Sequence, residues 1–148
     1  MIDSEILKPV VALMGWTMVM WLWMYATRIP AMIRSPDIDP NSMVGSTGAS
    51  LRAQLPERVS WKADNYNHLH EAPTLFYVAA LTLAMIGQGD GFNVWIAWMY
   101  VWLRILHSVV QATVNVVPVR FALFLLSTVA LIALIFHAAI AVFDLHLF

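Results

Sequence analysis

The chain has 148 residues, 61% of them hydrophobic and 11% charged, with a formal net charge of −1 and no cysteine. Soluble domains are roughly 45–50% apolar and about 25% charged, so this composition excludes an aqueous globular fold and indicates an integral membrane protein. Near-neutral charge leaves no nucleic-acid footprint, and without cysteine any thiol chemistry needs a thiol from outside.

The first apolar run covers about residues 6–28. It is long enough for the ~30 Å hydrocarbon core, which takes about 20 helical residues. Asp3 and Glu5 precede it, where a secretory signal would be basic. A long connection follows over 29–59, holding Pro30, Pro36, Pro40 and Pro56 with Gly45 and Gly48. Its "GSTGAS" stretch lacks the Gly-Lys-Ser/Thr of a phosphate loop, so an irregular loop on one membrane face is expected. The second span is expected at about 66–86, as one helix extended into water back to Ser60. Gly87-Gln88-Gly89-Asp90-Gly91 then makes a tight turn into a third span at about 92–112. Pro118 suits the first turn of a fourth span at about 119–145, because its missing N–H is unneeded there. These runs are too long and continuous for barrel strands. The expected fold is an all-α bundle of four transmembrane helices in a single domain.

Basic residues orient it. Arg28, Arg34, Arg52, Arg58 and Lys62 lie in or beside the long loop, and Arg120 beside the third connection. The positive-inside rule places that face in the cytoplasm and both termini on the other side.

The third span carries Tyr100, Arg104, His107, Gln111 and Asn115 at spacings of four, three, four and four. On a helix they fall within roughly an 80° arc. An Arg near the bilayer centre costs at least about 2.5 kcal/mol in lipid, so Arg104 is expected to face inward and to find an anion on a neighbouring helix. The second span opens with "NYNHLHEAP", in which Asn67 and Glu71 share a helical face. Glu71 is the only acidic residue within a span before the outer end of the fourth, so a Glu71–Arg104 pair is expected. A metal at His68, Glu71 and His107 is the competing reading. His68 and His70 are two apart and diverge on a helix, and Arg104 would repel a cation, so no metal is expected. His137 and His146 read as packed or interfacial histidines.

These features resemble the membrane-associated proteins in eicosanoid and glutathione metabolism, the MAPEG family, over nearly the whole chain. "NHLHEAPTLF" at 67–76 is similar to that family's second-helix motif. Arg104, His107, Pro118 and Arg120 are similar in spacing to the microsomal prostaglandin E synthase branch. The resemblance implies a homotrimer in the bilayer, here a bacterial-type member of an inner membrane, with glutathione as co-substrate between protomers near the cytoplasmic side. By the same resemblance Arg120 would stabilise the thiolate. Asn67 and Glu71 would hold the tripeptide's polar ends, Glu71 its amino group, and Arg28, Lys62 or Arg104 its carboxylates; His107 falls in the matched third-helix motif. Some members space the Asn and the acid by three, which would put His70 in the acid's place. Gln111 aligns with a site tyrosine, and Phe121 and Phe124 with a serine and a tyrosine.

Three functions fit these residues. One is a glutathione-dependent transferase or peroxidase acting on hydrophobic small molecules, either electrophiles or lipid hydroperoxides. The second is a non-catalytic structural or accessory subunit with a membrane-protein partner. The third is a binder of another anionic or amphipathic ligand.

Overall fold

The computed structural model describes residues 4–36, 38, 45 and 47–145; Asp3, Pro40, Ser46 and His146 lie outside them. Among these residues six helices follow in order: α1 Leu7–Arg34, α2 Gly48–Arg52, α3 Glu57–His68, α4 Ala72–Met85, α5 Phe92–Thr113 and α6 Val117–Val142. No strand occurs among the described residues. By length and composition, α1 and α6 are long and apolar enough to cross a membrane.

Helix α1 carries on through Pro30 to Arg34, past the expected end at residue 28. Proline removes one N–H and crowds the carbonyl four residues back. Here that disturbance falls near the end of the helix and is absorbed there. The long connection is also less irregular than expected. Thr47 Oγ accepts from Ser50 N–H at 3.2 Å, and Ser50 Oγ accepts from Thr47 N–H at 3.0 Å. This reciprocal cap starts α2.

The expected single second helix is two helices. Pro73 cannot donate to the carbonyl of Leu69, and its ring would crowd that oxygen. Helix α3 therefore ends at His68, Glu71 takes a non-helical conformation (φ −93°, ψ −102°), and α4 restarts at Ala72 with Pro73 in its first turn. The break falls within the polar stretch that opens the motif.

One apolar core draws on all the longer hydrophobic helices. It includes Leu13 of α1, Phe76 and Leu83 of α4, Val101 of α5, and Leu131 and Leu134 of α6. Phe76 stacks on Tyr100 with ring centroids 4.5 Å apart, an arrangement worth about 0.5–1.5 kcal/mol beyond area burial. Large apolar side chains such as Val11, Val78, Trp95, Trp102 and Ile132 point outward. An apolar exterior around a partly polar interior is the pattern of a chain solvated by lipid.

At the Gly-rich end, the start of α1 is tied to the α4–α5 turn. Ile6 N–H donates to Gly89 O at 2.9 Å, and Glu5 N–H to Asp90 Oδ1 at 2.9 Å. A Cβ on Gly89 would lie 2.0 Å from Ser4 Oγ and 3.0 Å from the Ala84 backbone, so only glycine fits this crossing. At the same end His137 Nδ1 bonds Asn93 Oδ1 at 2.6 Å, which ties α6 to α5.

Candidate functional site

The opposite end gathers the polar residues. Tyr100, Arg104, His107 and Gln111 form a buried stripe on α5, Arg104 with no exposed surface. Asn93 lies seven residues before Tyr100 and belongs to the same stripe, and Ser108 is buried beside it. The sequence reading singled out neither. Heptad spacing from Tyr100 was the available signal for Asn93. Ser108 has none, because a serine on a membrane helix can bond its own backbone. In the fold, Asn65 Nδ2 donates to Ser108 Oγ at 2.6 Å, tying α3 to α5.

Arg104 does not pair with Glu71. Its Nη2 donates to His68 O at 3.0 Å and to His68 Nδ1 at 3.2 Å. Glu71 is turned outward, its side chain 66% exposed, with Oε2 3.5 Å from His68 Nε2. The physical reason is the helix break. A helix C-terminus leaves carbonyls without partners and carries partial negative charge. Pro73 ends α3 at the depth of Arg104, so the guanidinium finds its acceptor on the backbone. His68 accepts on Nδ1, which puts its ring proton on Nε2, facing Glu71. His68 thus links the buried arginine to the exposed carboxylate. His70 serves the same helix end: its Nδ1 bonds Tyr66 O at 2.8 Å, and its ring lies 4.5 Å from that of Tyr66.

His107 stacks on His68 at 4.9 Å, and Phe124 of α6 closes over His68 at 5.5 Å. These rings wall a cleft of about 210 Å³, lined by His68, His107, Val117, Arg120, Phe121 and Phe124. Arg120 bonds Asn115 Oδ1 through Nη1, and its buried Nε has no partner among the described residues. The cleft therefore pairs one cation and two imidazoles with an apolar wall. Phe121 and Phe124, where the resemblance would have a serine and a tyrosine, make that wall.

A second cavity, of about 480 Å³, lies between α1, α2 and α3 and is lined by Arg28, Arg52, Ser60, Asp64 and Asn67 among others. Arg28 Nη2 donates to Gly48 O at 3.4 Å, and Arg52 pairs with Asp64 at 3.1 Å. Lys62 is in neither cavity. Its Nζ donates to Arg58 O at 2.6 Å and lies 5.6 Å from the Trp23 ring centroid. Partial burial, then the neighbouring Arg58, lower its pKa from the ordinary lysine value. Gln111 is buried, and its Oε1 has no partner among the described residues.

The candidate residues thus divide. His107 and Arg120 share the first cleft, with Arg104 held behind it by His68. Arg28 and Asn67 share the second cavity. No residue lines both. A cation beside imidazoles and aromatic rings can stabilise a small anion and seat an apolar group next to it. The Arg28 cavity offers cations, a carboxylate and an amide to a zwitterionic ligand.

The model of the MAPEG family matches residues 6–140, nearly the whole chain. The comparison with curated proteins found no match, and neither did the comparison with solved structures.

Proposed function

We propose, from the premise that the chain belongs to the MAPEG family, that it is a membrane-bound glutathione-dependent transferase or peroxidase. Its substrates are hydrophobic electrophiles or lipid hydroperoxides that partition into the bilayer. The observation that carries this reading is the cleft in which Arg120 stands beside His68 and His107 on one side and Phe121 and Phe124 on the other. A thiolate needs the first wall, and an apolar acceptor needs the second.

The donor set fits glutathione. The peptide brings two carboxylates, one ammonium and one thiol. Arg28 suits a carboxylate, Glu71 the ammonium, and Asn67 the peptide amides; Arg120 faces the sulfur. A free thiol has a pKa near 8.5, so only about 3% is thiolate at pH 7, and the thiolate is the nucleophile. A fixed cation near the first turn of α6 favours ionisation. In conjugation the sulfur lone pair forms the bond to the electrophilic carbon, the leaving group departs with its electron pair, and the thiol proton passes to water.

The assembly in this reading is a homotrimer of four-span subunits, with the basic end in the cytoplasm and both termini outside. Small-molecule sites usually enclose about 300–1,000 Å³. The Arg120 cleft, at about 210 Å³, is smaller than that, and Arg28 and Asn67 line a different cavity. A ring interface joins two different faces of neighbouring copies and would bring such half-sites together. The same small cleft favours a second reading, a non-catalytic subunit whose polar residues only tie helices.

Calorimetry with glutathione on the detergent-solubilised protein separates the two. Binding at or below millimolar peptide, with thiolate absorbance in the complex near neutral pH, is the expected result. No heat at millimolar peptide would leave Arg120 as a topology anchor and the accessory role as the surviving one.

A further inference from the structure

We infer that Asn115 is a positioning residue for Arg120, holding its guanidinium toward the cleft. This rests on the reading of Arg120 as the thiolate's cation.

On an uninterrupted α5, Asn115 would continue the buried polar stripe. Instead α5 ends at Thr113, and Asn115 lies in the left-handed region with φ +54°. Its N–H donates to Val110 O at 2.7 Å, closing the helix end. Left-handed backbone is strained for most side chains; glycine adopts it freely, and asparagine tolerates it. Backbone geometry alone would therefore be served by glycine. The amide adds something else: Oδ1 accepts from Arg120 Nη1 across the α5–α6 connection. That connection is only Val114–Val116, with Pro118 fixing the start of α6. Both ends of the contact are thus stiff.

The consequence is directional. A free arginine near a membrane border would extend its long side chain toward water. Asn115 holds one edge of the guanidinium at the turn. Arg120 then remains in the wall shared with His68, His107, Phe121 and Phe124, and its other donors stay available to an anion there. Turned outward to water, the same charge would be screened and would do little for a sulfur in the cleft.

The test is a double-mutant cycle on the full-length protein with glutathione and a small aromatic electrophile, reading the pH midpoint of bound-thiol ionisation. N115G keeps the left-handed backbone and removes only the acceptor. Its midpoint should rise by about one unit, and conjugation at pH 7 should fall about threefold from a wild-type midpoint near 6.5. In an R120L background the same change should have no further effect, because Asn115 acts only through Arg120. N115D, which also tolerates the backbone but neutralises the guanidinium, should raise the midpoint too, with thermal unfolding near wild type. If wild-type protein ionises the thiol and both variants leave the midpoint in place, the positioning role is overturned. Losses that multiply in the R120L background overturn it as well. A wild-type protein that does not ionise the thiol sinks the underlying reading, and the inference falls with it.

Discussion

Arg104 and Arg120 flank the same group of rings and meet opposite demands. Arg104 lies in the middle of α5, with no exposed surface, bonded to the backbone end of α3 and to His68. Arg120 lies near the start of α6, half-buried, bonded to one amide oxygen and opening on a cleft. One closes a gap in the backbone that a proline created. The other presents a charge that no carboxylate among the described residues neutralises. In the proposed function Arg104 ties α3 to α5 through Nη2, with its Nε and Nη1 unpartnered among the described residues, and Arg120 serves the chemistry.

The sharpest way to break this comparison is R104M. Methionine fills much of the volume but leaves His68 O and Nδ1 without a donor. Removing one partner of a buried polar contact leaves the other unsatisfied, and here that should cost about 3 kcal/mol. Thermal unfolding in mild detergent reads it; a variant as stable as wild type would mean that α3 and α5 are held some other way. R120L should do the reverse. Stability should change by less than about 1 kcal/mol, while the bound thiol loses its stabilising cation. If that cation holds the thiol near pKa 6.5, its loss restores about 8.5, and the thiolate fraction at pH 7 falls about 25-fold. Ultraviolet titration of the complex measures this, and an unchanged titration would remove Arg120 from the chemistry.

S108A sharpens the structural half. It strips Asn65 of its 2.6 Å partner, and interhelical bonds of this kind contribute about 0.6 kcal/mol, up to roughly 1.7. A loss near 1 kcal/mol, visible as faster amide exchange in α3 before α4, is expected. E71Q should have the smallest effect on the fold, below about 0.5 kcal/mol, because the side chain is exposed. Its effect on glutathione should appear in KM alone. A large stability loss would show that Glu71 is buried against a second copy of the chain.

Much of the architecture was legible in the residues. Apolar runs, the glycine turn and Pro118 marked α1, α5 and α6, and the four-three-four spacing marked the buried stripe. The motif residues around Asn67 and Arg104 pointed to the family that the comparison found. The site was less legible. Glu71 read as the partner of Arg104 because charge balance across a helix pair was the simplest solution to two burial problems, and it assumed an unbroken helix.

The sequence by itself determined where apolar segments lie and which face of α5 must be hidden, because both follow from hydropathy and helical period. Only the tertiary structure decided which atoms satisfy the hidden charge. Pro73 ends α3 where Arg104 can reach it, so a backbone carbonyl and His68 take the place of Glu71. Likewise α5 stops two residues short of Asn115, and its left-handed turn sends that amide to Arg120. Residue spacing describes a helix only while the helix continues, and both site contacts are made where helices end.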